Sequence, residues 1–426
     1  MRDRSRSDDR TELPEWPEQV IGGKYVRLLE RQLNQLRHEP AHGNRTLHLD
    51  DVFVTHLLAF FNPTVRSLRT IEDFSQTRQV QKHVSLRKLC RSTLSDFHRL
   101  VDPERLEPIL AALRGQLSQK AVIRPGAESD LATLLKQTIA VDGTFLPAAA
   151  DVAWAVCNTN NHGSRRHRAR VDCQVEVETW LPEVITVPEP GQSEADSAQP
   201  LLKSGCIYLY DRGFQSFALL NAHFTQQEEG QHVPHAYFVA RYRPAGGNSP
   251  ELQEAVERER TPQDRAAGVV SDRTGRFHSS KQCRHRIDPV PLREVRVEYE
   301  QQGEMKTLRL ITNLYDVPAA IIAHLYRYRW QVELFFRWLK CCGNFNHLLS
   351  HSRDGVLMHF YVTIIATLLM YLHTGYRPSK YCFVLLSQVA VGATTLDEVL
   401  PILRERERQC QLAREAAQRR LAKKQA

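Results

Sequence analysis

The 426-residue sequence lacks most of the motifs by which enzymes can be read directly. It has no GxxxxGK[ST] and no GxGxxG, which argues against a nucleotide-driven motor or a dinucleotide enzyme. A serine nucleophile elbow is also missing. Its nine cysteines are an odd number, scattered without a CxxC pair, so a reducing cytoplasm fits best. Cys341 and Cys342 read as small packing residues. The opening MRDRSRSDDRTELPEWPEQ has no apolar core behind its charges, so it is not an export signal and reads as a disordered leader over residues 1–20. The most apolar run, Val356 to Leu372, is interrupted by His359, Thr363 and Thr367 and barely reaches the ~17 residues of a minimal membrane span. It therefore predicts a buried helix, with no membrane as partner. His347 and His351 share a face if their helix extends that far, but two histidines without a third ligand more often pack or cap. No internal repeat is present.

The length suits two or three domains with a sizeable core. Lysine and arginine number 57 against 49 acids, a formal charge of +8, which allows a polyanionic partner without demanding one. The distribution says more. From Ile402 to Ala426 there are eight basic residues against three glutamates, a helix or disordered arm, and Arg165, Arg166, Arg168 and Arg170 form a second cluster. Both suit phosphate.

Apolar spacing predicts helices over Val52 to Phe61, stopped by Asn62-Pro63, and over Leu86, Leu89, Cys90, Leu94, Phe97 and Val101. A third is capped by Asp102, takes Pro103 in its first turn, and buries Leu106, Ile109, Leu110 and Leu113. Residues 21–125 thus read as an all-helical domain for DNA binding or dimerisation, bounded by the turn Arg124-Pro125-Gly126-Ala127. Thr138 to Val141 then predicts a short strand that stops at Asp142-Gly143. Ala148 to Val156 adds apolar content, Asn158 to Arg170 reads as a basic loop, and Val171 to Trp180 as a strand ending near Pro182. The segment Val187 to Pro200, rich in proline, serine and acids, reads as an exposed loop without chemistry. Ile207 to Tyr210 is another strand that ends on an acid, Asp211. A β-rich insertion over about 230–315 follows, with strand candidates at Ala236 to Tyr242, Val290 to Tyr299 and Leu308 to Leu314. The fold class is α/β.

The most informative stretch is Leu325 to Lys340, LYRYRWQVELFFRWLK. On a helix of ~3.6 residues per turn, Tyr326, Arg329, Glu333, Arg337 and Lys340 fall within roughly 80° of one another, with Trp330 at the edge. The opposite side collects Leu325, Tyr328, Val332, Phe335, Phe336 and Leu339, a stripe that must be buried. Ordinary ion pairs of Arg329 and Arg337 with Glu333 would satisfy the same spacing. The order Tyr, two residues, Arg, three residues, Glu, six residues, Lys resembles the YREK signature of bacterial insertion-sequence DDE transposases of the IS-four family. Asp142-Gly143-Thr144-Phe145 and Asp211-Arg212-Gly213-Phe214 are similar to that family's first and second acid blocks.

The resemblance spans Ile139 to about Tyr371 and implies a ribonuclease H-like core over 126–401, with the β-rich insertion between the second aspartate and the glutamate. It implies that Asp142, Asp211 and Glu333 are catalytic and hold two Mg²⁺ (or Mn²⁺) ions, which together activate a water or hydroxyl and stabilise the leaving oxygen. Tyr326, Arg329 and Lys340 would hold DNA, with Arg337 grouped beside them. Trp330 matches a position where some relatives handle a displaced base, and a core or surface aromatic accounts for it as well. Locally, Asp-Gly and Asp-x-Gly are also ordinary turn and loop pairs. The expected activity is that of a transposase that binds the inverted ends of its element in double-stranded DNA, cuts them by hydrolysis and joins them to target DNA. Paired ends imply a homodimer, working in the bacterial cytoplasm at the nucleoid. A nuclease that never joins strands, or a degenerate descendant that only binds DNA, are the rivals.

Overall fold

A computed structural model describes residues 26–425 except 27–28, 38–46, 63, 86–87, 119–128, 148–155, 160–164, 180, 190, 227–231, 245–248, 279–285, 302, 343–348, 351, 375–379 and 391–392. The turn at Arg124 to Ala127, Leu86 and the histidines at 347 and 351 lie outside the described residues.

Helices come first: α1 (Glu30–Arg37), α2 (Leu49–Phe61), α3 (Leu68–Ser75), α4 (Arg78–Gln81), α5 (Arg91–Leu100), α6 (Glu107–Ser118) and α7 (Ser129–Lys136). Asn62 ends α2 as expected. Asp102 caps a short 3-10 turn, Pro103–Leu106, by accepting from the Glu104 N–H at 2.9 Å, and Leu106, Ile109, Leu110 and Leu113 are buried. The helix expected from Leu86 begins only at Arg91, with Leu89 and Cys90 in the preceding segment. Leu89 is buried there without helical backbone, so its spacing reported burial rather than conformation.

The centre is a mixed sheet built from β1 (Thr138–Pro147), β2 (Val156–Thr159), β3 (Arg165–Glu176), β4 (Pro182–Thr186), β5 (Ile207–Tyr210), β8 (Tyr237–Tyr242), β9 (Gln253–Glu257), β10 (Val269–Arg276), β11 (Leu292–Gln301) and β12 (Glu304–Thr312), while β6 (Phe224–Gln226) and β7 (His232–Pro234) form a small hairpin apart. Its order is β2-β3-β1-β5-β8-β12-β11-β10-β9, with β4 also on β3. The pairs β1–β5 and β5–β8 are parallel and the others antiparallel. The strands of the 230–315 region thus extend the central sheet. Two expectations change here. The chain from Arg165 to Arg170 is strand, not loop, because its backbone pairs with both β1 and β2. Residues 187–200 include α8 (Glu194–Ala198), started by a Ser193/Asp196 capping box that composition alone concealed.

The remaining helices are α9 (Phe217–Asn221), α10 (Pro262–Ala266), α11 (Ala319–Arg327), α12 (Trp330–Cys342), α13 (Arg353–Thr374), α14 (Lys380–Ala390) and α15 (Leu396–Gln425). α13 is long and apolar enough to cross a membrane, yet it is buried, with Thr363 fully covered and α2, α5 and α6 packed against it. One apolar core runs from these helices to the sheet face bearing Ala140, Leu209 and Val239. A second core fills the other face, where α8 and α9 meet Val141, Tyr210 and Ala240.

Candidate active site

The two aspartates are placed by the ladder itself. β1 pairs with β5 up to Ala140 opposite Leu209, so Asp142 and Asp211, each two residues further on, stand level just past the paired stretch of adjacent parallel strands. β1 does not stop at Asp142; it continues to Pro147 on β3 while leaving β5, which opens a crevice beyond the end of β5. Each carboxylate is oriented by a nearby amide: Gly143 N–H donates to Asp142 Oδ1 at 2.9 Å and Gly213 N–H to Asp211 Oδ1 at 2.7 Å. Burial, then the negative charge of Asp211, push the Asp142 carboxyl up to about 7, with Arg329 opposing.

Glu333 arrives on α12, whose Val332, Phe335, Phe336 and Leu339 are buried, as their spacing requires, with α12 packed on β1 and β3. The expected single helix is broken at Tyr328–Arg329. Tyr328, Arg329, Gln331 and Val332 donate to carbonyls three residues back rather than four, a tight 3-10-like turn. Three aromatic residues alternate there, at 326, 328 and 330, and such side chains lose rotamer freedom against a regular helical turn. The break turns Tyr326 and Arg329 inward, where both are buried. Arg329 pairs through Nη2 with Glu333 Oε1, and its Nη1 stands 4.0 Å from Asp142 Oδ2. Its Cζ lies 6.0 Å from the Tyr326 ring centroid. Burial pushes the Tyr326 hydroxyl up to about 12, with Arg329 and Arg241 acting against it.

Asp142, Asp211, Tyr326, Arg329 and Glu333 therefore share one neighbourhood. Lys340 is half-buried in the last turn of α12. Arg337 and Trp330 lie on the exposed side of that helix and pair with each other, Cζ 5.9 Å from the ring centroid. No contact joins them to the three acids among the described residues.

Two residues escaped the sequence reading. Tyr210 pairs with Ala240, which brings Arg241 of β8 level with Asp211, so Asp142, Asp211 and Arg241 stand at one level across three adjacent parallel strands. The signal was present: a third apolar run that meets a charge. Glu194 carried no such signal, being one acid in a polar segment, yet the fold sets its carboxylate against Gly143 and Gly213.

The donors are all hard oxygens, the type that Mg²⁺ and Mn²⁺ take. Among the described residues no three such side chains converge closely enough to hold one ion as they stand. The Arg329 guanidinium lies between Asp142 and Glu333, so the space between these carboxylates already accepts a positive charge.

Residues 133–369, more than half the chain, match the family model described as the transposase DDE domain, and the chain belongs to that family. It is 25% identical over 231 residues to a putative transposase, y4zB, of Sinorhizobium fredii, covering 54% of this chain and 59% of that protein. It is 32% identical over 91 residues to a probable transposase for insertion sequence element IS5377 of Geobacillus stearothermophilus, covering 21% of this chain and 22% of the relative. The chain therefore spans less than two thirds of the length of either. Among solved structures it is similar to a piggyBac transposase synaptic complex with hairpin DNA, at a TM-score of 0.40 and 11% identity over 89% of this chain and 81% of that one.

Proposed function

We propose that the chain is a DNA transposase of the insertion-sequence type, of the IS-four kind with Tyr326, Arg329, Glu333 and Lys340 as its YREK residues. It binds the inverted ends of its element in duplex DNA, cleaves them by metal-dependent hydrolysis and transfers the freed 3′ ends to target DNA. The observation that carries this reading is that Asp142 and Asp211 stand level on adjacent parallel strands while Arg329 bridges Asp142 to Glu333. We read β4-β3-β1-β5-β8 as a ribonuclease H-like core, supported by one antiparallel arm followed by two parallel strands.

Asp142, Asp211 and Glu333 would hold two Mg²⁺ or Mn²⁺ ions. Bound there, the ions supply an activated water and a stabilised leaving oxygen. The protein's own contribution is positioning. The amides of Gly143 and Gly213 fix the two aspartates. Tyr326, Arg329, Lys340 and Arg241 present a hydroxyl and positive charge for the phosphates on either side of the cut, and Arg337 with Trp330 extends that surface outward. Two protomers bring two ends together.

Asp142→Ala, Asp211→Ala and Glu333→Ala should each abolish cleavage of element-end DNA in Mg²⁺ or Mn²⁺ while binding in a gel-shift titration survives. Retained cleavage by any folded variant removes that residue from the site. Cleavage without joining to a supplied target duplex would reduce the activity to that of a nuclease.

A further inference from the structure

The reading above leaves Gly143 and Gly213 with only their amides employed, yet both acid blocks place glycine close behind the aspartate. Neither glycine has positive φ, so backbone conformation does not require it. Space does. A Cβ on Gly143 would collide with Glu194 Oε1 and come within 2.8 Å of Asp172 Oδ1. A Cβ on Gly213 would stand 2.9 Å from Glu194 Oε2 and 3.1 Å from Asp211 Oδ1. One carboxylate, carried on α8, thus occupies the room that both glycines vacate. Because α8 belongs to the second core, Glu194 comes from the sheet face opposite the one on which α12 presents Glu333.

That placement is electrostatically expensive without a cation. Glu194 faces the charges of Asp172 and Asp211, with Arg170 as the nearby positive group, and Arg170 is itself paired to Asp172 at 2.9 Å. Among the described residues no hydrogen bond or ion pair holds the Glu194 carboxylate. Beside it lies a small cavity whose lining mixes apolar side chains such as Val141, Val184 and Phe214 with Asp172, Gln174 and Glu194. Gln174 is 2% exposed, and neither atom of its amide group has a hydrogen-bond partner. Among the described residues, this buried amide with both functions unmet and the unpaired Glu194 carboxylate form a polar pair that no neighbouring side chain satisfies.

We propose that Glu194 is a fourth carboxylate of the metal centre, reaching the ions past Gly143 and Gly213, and that these two residues are glycine to let it through. The inference rests on the three-acid reading, and the test separates the two. Mn²⁺ affinity and stoichiometry are measured on the full chain by calorimetry and electron paramagnetic resonance, without DNA or turnover. Glu194→Gln should bind Mn²⁺ about tenfold more weakly, or bind one ion fewer, in keeping with the effect of losing one carboxylate from such a site. Gly213→Ala, whose methyl group would crowd the flexible end of Glu194, should displace that carboxylate and weaken Mn²⁺ in the same way, and should add little in the Glu194→Gln background. Glu194→Asp, which keeps the charge and withdraws the carboxylate by one methylene, decides the matter if Glu194→Gln fails to fold. Unchanged affinity and stoichiometry in the folded variants would overturn the inference while Asp142→Asn and Asp211→Asn still lose Mn²⁺. Indifference to those two aspartate variants, or no Mn²⁺ on the wild-type chain, would remove the three-acid reading and this inference with it.

Discussion

Arg329 holds one charge for which two kinds of partner compete. In the structure its guanidinium serves Glu333 and Asp142, in a buried setting where removing either partner strands a charge. On the proposed reading, ions bound to the carboxylates would free the same side chain for a phosphate of the DNA. Arg329→Ala should therefore lower the slope of log affinity for end DNA against log salt by about 0.9, as loss of one phosphate contact does for duplex DNA. Lys340→Ala should do the same, with little change in base preference. A titration on end DNA that returns the wild-type slope would leave Arg329 with its ion pairs alone and remove Lys340 from the DNA contacts. The like placement of Asp142 and Asp211 was legible because each follows a short apolar run that forms a strand. Glu194 was not, since nothing in a polar segment reveals which acid a capping box will aim at a distant pair of glycines.

At the scale of elements, periodicity reported burial well and helix boundaries poorly. The stripe Val332, Phe335, Phe336 and Leu339 is buried as spacing demands, whereas the break at Tyr328–Arg329 depends on three-residue hydrogen bonds that no apolar pattern encodes. The β-rich region was legible as strands but not as an extension of the central sheet, because pairing partners lie far apart in sequence: Arg309 of β12 stands opposite Tyr242 of β8. That extension has a mechanical role. Arg293 of β11 binds both oxygens of Asp272 at 2.8 and 2.7 Å, and its remaining N–H group reaches the carbonyls of Leu314 and Val317 in the segment that leads into α11. Asp264 accepts from the Ala320 N–H at 2.7 Å and so fixes the first turn of the same helix. Truncating Arg293→Ala strands the buried Asp272 charge and should cost ~3–5 kcal/mol in urea unfolding. Asp272→Asn with Arg293→Met should recover part of that loss. A cost below ~1 kcal/mol for Arg293→Ala would show that the helix is anchored elsewhere.

Across the whole molecule, the amino-terminal helices, α13 and one sheet face share a continuous core, and buried neutral histidines sit within it. His98 Nε2 and His56 Nε2 lie 3.0 Å apart, and burial, then His56 and His359, lower His98 to about 3. The folded value lies below the unfolded ~6.5, so the unfolded chain binds more protons between these limits. Stability is whole above pH ~6.5 and falls as pH drops through the window, by up to ~1.4 kcal/mol per unit for one such group. His98→Gln should flatten the fall in urea midpoint between pH 7 and pH 5; the same pH dependence as wild type would clear His98 of the role. The sheet also gives the site a vice with one fixed jaw. Asp142 and Asp211 are carried by strands riveted through parallel hydrogen bonds, while Glu333 rides a helix that rests on β1 and β3 by side-chain packing. Calcium–oxygen distances exceed those of magnesium by roughly 0.3 Å or more, and the strain of the larger ion must be taken up somewhere. Exchanging Mg²⁺ for Ca²⁺ should then alter amide hydrogen exchange along Trp330–Cys342 and leave Thr138–Asp142 and Ile207–Tyr210 unmoved, whereas equal changes in strands and helix would mean that both jaws give. Discrimination between metals would thus reside in how far a helix can slide, and not in which acids surround the ion.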